Sequence, residues 1–272
     1  MKSRYLCCPV CAGALEKKEN SYICEKGHSY DIAKQGYINL LMSAKSSDHG
    51  DNREMIEARS RFLSGDFYLP LANEICRHAC ESFLHGGVAI DCGCGECYYT
   101  DKLQLALSEK FSDVSVCGFD ISREAVKRGA RRNKAIELLV AGVYKMPFAD
   151  KCADLLLSVF SPFAREEFLR VLKKGGTLIS AIPDKRHLWA LKSALYETPY
   201  ENTIDDYEVE GFEFVGKSDV KNIISLSGDQ LRDLFTMTPY YYRTRPEDKQ
   251  KILECEKMDI ETEFQVLVYK KI

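Results

Sequence analysis

The fold of this chain follows from one stretch, Ala89-Ile90-Asp91-Cys92-Gly93-Cys94-Gly95-Glu96-Cys97-Tyr98-Tyr99-Thr100. The stretch begins as a short apolar strand that ends at Asp91, turns through two glycines, and opens a helix. Because glycine has no Cβ, Gly93 and Gly95 allow the backbone to approach a bound nucleoside-like ligand closely. Asp120 ends the next strand, where a carboxylate can accept hydrogen bonds from both ribose hydroxyls. These features predict a nucleoside-binding α/β domain.

The chemistry of the turn indicates which ligand it binds. A nicotinamide dinucleotide needs three glycines and a helix N-terminus that is open to its pyrophosphate. Here Glu96 and Cys97 occupy the turn, and an acid at that position would repel phosphate. A cationic sulfonium ligand without phosphates suits Glu96 better. The turn therefore favours S-adenosylmethionine as the cofactor.

Strands and helices alternate after this stretch. Strands are predicted at 88–91, 114–119, 136–140, 153–159 and 177–182, and helices at 100–110, 122–133 and 165–172. Such alternation is typical of βαβ units and a mainly parallel sheet. Further on, 212–226 is strand-rich, Ser227 is a candidate helix N-cap, and 261–269 is a final alternating strand. We predict a class I (Rossmann-like) α/β fold whose sheet carries an antiparallel closing strand.

The start of the chain has a different pattern, Cys8-x2-Cys11-x12-Cys24-x3-His28. Two closely spaced ligand pairs with a hairpin-length insert between them fit a closed tetrahedral zinc site. Cys7 competes with Cys8 for the first position, but Cys8 gives the better spacing to Cys11. Since the protein would supply all four ligands, the zinc is expected to be structural and to stabilise a module too small to fold unaided. The alternative is a coincidental group of thiols or a redox pair.

Two later segments extend the pattern of the central domain. They are Lys145-Met146-Pro147-Phe148-Ala149-Asp150 and Val171-Leu172-Lys173-Lys174-Gly175-Gly176-Thr177-Leu178. In this order they resemble class I methyltransferases, which often have a Leu-Pro-Phe turn and a later Leu-Lys-Pro-Gly-Gly turn. Two departures matter: Gly142 stands where many relatives carry an acid that binds the adenine amino group, and Cys97 replaces the usual third glycine. We therefore expect backbone recognition of adenine and a narrower pocket.

Over essentially its whole length the chain resembles the RlmA family of 23S rRNA (guanine-N1)-methyltransferases. The residues that carry this resemblance are the zinc pattern, 20–24, 36–41, Ala58-Arg59, Phe62-Leu63, 94–96, 98–100 and Arg186-His187-Leu188. The resemblance implies cofactor contacts from Tyr68, from the turn at Glu96–Cys97, and from His187. It also implies a homodimer whose paired zinc modules help form an RNA-binding cleft, and a target in an rRNA hairpin loop. Without the resemblance, Tyr68 also fits core packing and His187 also fits a surface position.

Length and composition limit how these parts are arranged. The 272 residues can hold one α/β domain and a small module. We predict a zinc-binding module at 1–34, a linker and helical segment at 35–85 with a loop over 35–50, and a methyltransferase domain at 86–272. The net charge of −3 argues mildly against a general nucleic-acid binder but allows a local basic face. With no membrane span and no secretory signal in the sequence, we expect a cytoplasmic protein.

The expected reaction places demands on the substrate pocket. N1 of guanine lies on the Watson–Crick edge, so the base must be unpaired or pulled out of its helix. Ligands bind at the carboxyl ends of the strands in such sheets, which points to the loop after the fourth predicted strand. We predict a base pocket at Phe160, Ser161 and Phe163, where a phenylalanine would stack on guanine, although both rings also fit packing under the loop. No general base is assigned.

Two other functions remain open. A small-molecule S-adenosylmethionine-dependent methyltransferase would have nearly the same core but would not need the zinc module. A non-catalytic RNA-binding or protein-binding adaptor fits poorly, because Asp91, Gly93, Gly95 and Asp120 are all retained. An RNA substrate predicts that basic side chains converge near the cofactor mouth, namely Arg53, Arg59, Arg61, Lys185, Arg186, Arg243 and Arg245.

Overall fold

Two β-sheets organise the chain in the computed structural model, which describes residues 2–42, 52–83 and 86–272. The smaller sheet is antiparallel and has the strand order β1-β2-β3-β4. Its strands are β1 (Lys2–Cys7), β2 (Ala14–Lys18), β3 (Ser21–Cys24) and β4 (Ser29–Asp31). All four strands lie in the part of the chain that carries the cysteine and histidine pattern.

The larger sheet has eight strands in the order β11-β12-β10-β9-β6-β7-β8-β5. They are β5 (Ile38–Asn39), β6 (Gly87–Cys92), β7 (Val114–Asp120), β8 (Glu137–Val140), β9 (Ala153–Val159), β10 (Leu172–Pro183), β11 (Phe212–Ser227) and β12 (Lys257–Lys271). Neighbours from β10 to β5 pair in parallel, whereas β12 is antiparallel to both β10 and β11. The predicted class I α/β fold with an antiparallel closing strand is confirmed.

Nine helices lie in the described part of the chain. They are α1 (Arg53–Ser64), α2 (Leu69–Ser82), α3 (Tyr98–Lys110), α4 (Arg123–Arg132), α5 (Arg165–Val171), α6 (Trp189–Leu195), α7 (Asp229–Thr236), α8 (Tyr240–Arg243) and α9 (Pro246–Leu253). The Asn52 side chain caps α1 and the Ser122 side chain caps α4, each by accepting a backbone N–H of the first turn. None of these helices is long and apolar enough to cross a membrane.

Three local predictions need correction. The loop expected at 35–50 contains strand β5, which pairs with β8, while its positions 43–50 lie outside the described residues. Ser227 is not a helix N-cap, because it ends β11 opposite Lys257, and Gly228 precedes α7 instead. The Lys-Lys-Gly-Gly segment at 173–176, where a turn is expected, lies within β10 instead. There the pairing of β10 with β9 shifts its register between Leu172 and Thr177, and Gly175 has a φ of 73°.

A layer of helices covers one face of the large sheet, and the small sheet together with α5 covers the other. Helices α1 to α3, together with α6 and α7, share one apolar core with alternate residues of the central strands. On the other face, Tyr5, Leu6 and Leu15 of the small sheet share a core with Phe119 and Phe148. Backbone hydrogen bonds also join β1 of the small sheet to the segment that contains Phe148. Cys7 N donates to Pro147 O at 2.9 Å, and Ala149 N donates to Tyr5 O at 2.8 Å. The small sheet is therefore packed into the body of the molecule.

The hairpin of β11 and β12 continues past the sheet and carries a helical layer. β10 ends at Pro183, opposite Phe264, but β11 and β12 remain paired as far as Ser227 and Lys257. Helices α7 to α9 join these two ends, and α7 returns to α1 through an ion pair of 2.6 Å between Arg61 and Asp233. Because β10 runs parallel to β9 and the other central strands, its end at Pro183 marks the carboxyl edge of the sheet, where ligands bind, and the helical layer lies at that edge.

Candidate cofactor site, base-binding edge and zinc centre

The glycine turn between β6 and α3 forms the floor of the candidate cofactor site. Gly93 and Gly95 have φ values of 85° and 53°, which favour glycine. A Cβ on Gly95 would meet nothing within 4 Å, so this position faces space that a ligand can fill. A Cβ on Gly93 would lie 2.6 Å from the Ser161 Cβ. Gly93 is therefore required for packing of the loop after β9, which the ligand-based explanation did not foresee.

Asp120 lies beside this turn at the end of β7. Its Oδ2 accepts a hydrogen bond from Gly95 N at 2.9 Å, and its Oδ1 accepts one from Ser122 N at 2.7 Å. These two bonds fix the plane of the carboxylate. Each carboxylate oxygen can accept more than one hydrogen bond, so the geometry allows ribose hydroxyls to bind as well.

Two buried carboxylates flank the turn. Asp91 accepts a hydrogen bond of 2.6 Å from Thr100 Oγ1, and Glu96 is paired with the Arg132 guanidinium. Their other oxygens, Asp91 Oδ1 and Glu96 Oε1, are buried without a hydrogen-bond partner in the described part of the chain. Burial raises the pKa of Asp91 to about 7, and burial also raises the pKa of Glu96 against the opposing effect of Arg132. Unsatisfied buried carboxylate oxygens fit a cationic ligand and disfavour a pyrophosphate.

Glu96 alone does not determine which ligand the turn binds. Arg132 offsets much of the charge of Glu96, so this residue by itself would not exclude phosphate. The preference for a ligand without phosphates comes instead from three acids at one edge, Asp91, Glu96 and Asp120. S-adenosylmethionine, which is a nucleoside with a sulfonium cation, fits this donor set.

Cys97 takes the place of a third glycine by adopting a left-handed conformation, with a φ of 66°. Its side chain is fully buried, and a Cβ on Gly129 of α4 would lie only 2.3 Å from its Sγ. The thiol therefore fills the space above Gly129 and is not exposed to solvent. Because this thiol is buried, it does not project into the cofactor pocket and does not narrow the pocket directly.

An aromatic group, which comprises Tyr68, His187, Phe264, Phe160 and Tyr99, lies at the same edge. The Phe264 ring is its centre, with centroid distances of 4.9 Å to Tyr68, 4.5 Å to His187 and 5.6 Å to Phe160. Tyr99, in the first turn of α3, contacts Phe160 at 6.3 Å. The sequence analysis missed the role of Phe264, because an alternating final strand does not show which of its aromatic residues reaches the edge.

His187 is a buried residue of this group. Its Nδ1 accepts a hydrogen bond of 3.2 Å from Glu263 N, so the neutral ring carries its proton on Nε2. Burial, aided by the Lys192 cation, lowers the pKa of His187 to about 3. His187 therefore stays neutral at physiological pH and offers one N–H donor. The surface position that the Lys-Arg-His sequence allowed is excluded.

The loop after β9 separates the residues of the predicted base pocket. Phe160, at a φ of 53°, is 46% exposed and belongs to the aromatic group. Ser161 Oγ donates to Cys92 O at 2.6 Å and so holds the loop on the glycine turn. Phe163 packs on Phe168 and Tyr269, which belong to the core of the opposite face of the sheet. The structure therefore does not bring the three residues into one pocket. Phe160 and Ser161 lie at the cofactor edge, where Ser161 is bonded to the glycine turn, and Phe163 lies on the opposite face.

Cys8, Cys11, Cys24 and His28 come together in the small sheet, with all four ligand atoms within 4.8 Å of one another. Cys11 Sγ lies 3.6 Å from Cys24 Sγ, and His28 Nδ1 lies 3.3 Å from Cys24 Sγ and 3.5 Å from Cys8 Sγ. Bonds of about 2.3 Å to sulfur and about 2.0 Å to nitrogen give tetrahedral ligand separations of roughly 3.5–3.8 Å. The group thus fits a tetrahedral zinc ion. Cys7 lies outside it.

The basic side chains singled out from the sequence fall into two sets. Three lie on α1 and have partners: Arg53 pairs with Glu57 at 2.9 Å, Arg61 pairs with Asp233, and Arg59 Nη2 donates to Met237 O at 3.4 Å. Four others, Lys185, Arg186, Arg243 and Arg245, are exposed and form no ion pair with any described residue. Lys185 and Arg186 directly precede His187, and Arg243 and Arg245 lie in the helical layer at the same edge.

The fold and the site define the chain as a class I S-adenosylmethionine-dependent methyltransferase with a structural zinc module. Residues 6–47 match the N-terminal zinc ribbon of RlmA, and residues 90–180 match the methyltransferase domain family. The chain is 31% identical to a 23S rRNA (guanine(748)-N(1))-methyltransferase of Streptomyces fradiae, with 90% of this chain and 88% of that protein covered. It is 29% identical to YxjB of Bacillus subtilis, by name a candidate 23S rRNA (guanine-N1)-methyltransferase, with 97% of this chain and 96% of YxjB covered. The chain therefore belongs to the family of 23S rRNA (guanine-N1)-methyltransferases.

One solved structure shares the fold at low sequence identity. The YcgJ protein from Bacillus subtilis matches with a TM-score of 0.50 and 12% identity, covering 73% of this chain and 98% of YcgJ. The two proteins therefore share the α/β fold of this domain.

Proposed function

We propose that the chain methylates N1 of an unpaired guanine in a hairpin loop of 23S rRNA. The observation that carries this proposal is the half-exposed ring of Phe160, which lies beside the cofactor turn and in contact with Tyr99. A solvent-facing aromatic ring at this edge suits a base that has left its stack. The names of the relatives support the same reaction.

The cofactor would lie between the glycine turn and the aromatic group. Asp120 would hold the ribose, Gly95 would leave room for close approach, and Asp91, Glu96 and Cys97 would line the turn. Gly93 supports the turn through its contact with Ser161. Tyr68 and His187 would close the site from the opposite side. When bound, S-adenosylmethionine supplies the methyl group on its sulfonium.

The residues of the chain contribute mainly alignment and exclusion of water. Phe160 would stack on the guanine and hold N1 toward the cofactor. Loss of the N1 proton places negative charge on the base, which a neutral N–H donor can stabilise. His187 cannot act as the general base, because its Nδ1 already accepts a bond from Glu263 N.

The unpaired cations would bind the RNA backbone. Lys185, Arg186, Arg243 and Arg245 have no carboxylate partner among the described residues, so phosphates can neutralise them without breaking an ion pair. Arg53 and Arg61 are already paired, and we assign them to holding α1. A basic face at the cofactor edge favours RNA over a small molecule despite the net negative charge of the chain.

The remaining parts take supporting roles. Residues 1–34 would form the zinc module, 35–85 the linker and helical segment, and 86–272 the methyltransferase domain. Two copies would associate as a homodimer in the cytoplasm, with the paired zinc modules forming an RNA-binding cleft. Light scattering tests the dimer, and a mass of about one chain would contradict it.

The test of the reaction uses 23S rRNA from a strain that lacks this gene. The rRNA is incubated with purified protein and S-adenosylmethionine and then read by primer extension, since a methyl on N1 blocks base pairing. We expect one new cofactor-dependent stop, which also locates the target. The Phe160→Ala variant should methylate at least about tenfold more slowly, the loss of roughly one stacking contact. Phe163→Ala is the matched control, because the same loop directs Phe163 to the opposite face, and it should retain activity.

The absence of a primer-extension stop would contradict the proposal. If no stop forms on naked rRNA or on assembled subunits while labelled methyl enters small extract molecules, the RNA assignment is wrong. A small-molecule substrate would then replace it. Equal losses in Phe160→Ala and Phe163→Ala would contradict the assignment of the base to Phe160.

A further inference from the structure

Two thiols lie at the ends of the cofactor turn. Cys94 and Cys97 have the spacing Cys-x-x-Cys, and their Sγ atoms are 3.6 Å apart. The backbone closes the same turn, since Cys97 N donates to Cys94 O at 2.9 Å. A turn closed in this way keeps the Cα atoms of its first and fourth residues within about 7 Å, near the range that a disulfide spans.

The molecule leaves specific room for both sulfurs. A Cβ on Gly118 of β7 would lie 3.1 Å from Cys94 Sγ, and a Cβ on Gly129 of α4 would lie 2.3 Å from Cys97 Sγ. A side chain at Gly129 would thus displace the Cys97 thiol, and one at Gly118 would crowd Cys94. The two sulfurs therefore occupy space that is open only because positions 118 and 129 are glycines.

The backbone at Cys97 is an independent indication. Its φ of 66° lies in the left-handed region, which disfavours every residue with a Cβ. Glycine would satisfy this turn without strain. Strained side chains tend to persist where they serve a function, and here the strained residue places one thiol against another.

We propose that Cys94 and Cys97 form an oxidisable dithiol, whose disulfide weakens cofactor binding. The oxidant is a hydroperoxide. The Cys94 thiol first loses its proton, and the thiolate attacks one oxygen of hydrogen peroxide; the O–O bond breaks, giving a sulfenic acid and a hydroxide that takes up the thiol proton as water. The Cys97 thiol then attacks the sulfenic sulfur, so that the S–S bond forms, the S–O bond breaks, and the hydroxyl leaves with the Cys97 proton as a second water. Two thiols and one hydrogen peroxide thus give one disulfide and two waters.

Cys94 is the sulfur that the oxidant reaches. It is 9% exposed, whereas Cys97 is fully buried. Burial raises the pKa of the Cys94 thiol, which keeps its thiolate fraction low and makes it slower to oxidise than an exposed thiol. The pair therefore responds to sustained peroxide exposure.

The effect on the cofactor follows from the position of the pair, and this step rests on the proposed cofactor site. A disulfide brings the sulfurs from 3.6 Å to about 2.05 Å, so the ends of the turn must move together. Gly95 and Glu96 lie between them, and the bond from Gly95 N to Asp120 Oδ2 would be distorted. Loss of about one hydrogen bond corresponds to roughly tenfold weaker cofactor binding.

The experiment uses the full-length zinc-loaded protein exposed to hydrogen peroxide. Free thiols are then alkylated, and the peptide containing Cys94 and Cys97 is analysed by mass spectrometry, while released zinc is measured in parallel. S-adenosylmethionine affinity is measured by calorimetry before oxidation, after it, and after dithiothreitol. Cys97→Gly removes the resolving thiol and the backbone strain together, and Cys80→Ser, on α2, is the matched thiol control.

We expect a Cys94–Cys97 disulfide that forms before zinc is lost, with a roughly tenfold fall in affinity that dithiothreitol reverses. The affinity of Cys97→Gly, whatever its value before oxidation, should not change on peroxide exposure, and Cys80→Ser should respond like the wild type. Zinc loss before any Cys94–Cys97 disulfide, or a disulfide without change in affinity, would overturn the proposal. Failure of the proposed function is separate: reduced protein would then bind no S-adenosylmethionine, or would bind it and not methylate rRNA.

Discussion

Gly129 of α4 offers the sharpest test of how the cofactor turn is packed. A Cβ at this position would lie 2.3 Å from Cys97 Sγ, 3.1 Å from Cys97 Cβ and 3.4 Å from the Glu96 carbonyl carbon. Both helix and turn are buried here, so the added methyl group cannot move into solvent. Gly129→Ala should therefore force the turn and α4 apart.

The expected magnitude comes from two opposing effects. Overpacking a buried site costs about 1–3 kcal/mol. Replacing glycine by alanine within a helix stabilises it by about 1 kcal/mol. We expect Gly129→Ala to lower the free energy of unfolding by up to about 2 kcal/mol and to weaken S-adenosylmethionine binding, because Glu96 moves with the turn.

Removing the Cys97 thiol should reverse the effect of Gly129→Ala on the free energy of unfolding. In a Cys97→Gly background the obstructing sulfur is gone, and Gly129→Ala should stabilise the protein by about 1 kcal/mol. The coupling between the two positions is then about 1–3 kcal/mol, which urea unfolding of the four variants measures. If Gly129→Ala stabilises both backgrounds equally, the contact between the turn and α4 is not as close as described.

Three further predictions concern other parts of the molecule. Cys24→Ser should abolish stoichiometric zinc binding. Because the small sheet shares a core with the large one, calorimetry should show the whole chain melting in one transition at a lower temperature. A second transition at the wild-type temperature would contradict this. Glu137→Gln should destabilise the protein by about 1–2 kcal/mol in urea, since the Tyr5 and Tyr22 hydroxyls both donate to this carboxylate, and an unchanged midpoint would argue against the contact. The sulfonium cation of S-adenosylmethionine binds better when Asp91 is ionised. Since the pKa of Asp91 is raised to about 7, the affinity for S-adenosylmethionine should rise between pH 6 and 8. Glu96 and Asp120 face the same ligand, so Asp91→Asn should flatten, but not reverse, this dependence of affinity on pH.

Much of the cofactor edge could be predicted because local patterns specify it. Strand, glycine turn and helix are consecutive in sequence, and Asp120 follows from the end of the next strand. The Gly95–Asp120 contact brings together two segments whose positions βαβ geometry already fixes. The zinc ligands could be predicted for the same reason, since two closely spaced pairs need only one hairpin between them.

The proposed base-binding edge around Phe160 could not be predicted to the same degree. Phe160 and Phe163 are three residues apart in one loop, and nothing local indicates that they face opposite sides of the sheet. Phe264 joins Tyr68 and His187 only because β12 pairs with β10 at Pro183. Helices α6 to α9 are short, and they are held by contacts distant in sequence, such as Arg61 with Asp233. Tertiary contacts, which single-sequence periodicity does not record, determine all three features.

The zinc module shows why an apparent appendage can be part of the core. In a doubly wound sheet, a helix usually joins consecutive parallel strands and covers one face. The described connection from β8 to β9, residues 141–152, contains no helix, so Phe119 and Phe148 would be left uncovered on that side. Tyr5, Leu6 and Leu15 of the small sheet pack against them, and Leu6 pairs directly with Phe148. The zinc module therefore supplies the cover that the missing crossover helix would have given, and zinc binding and the stability of the methyltransferase sheet are physically linked.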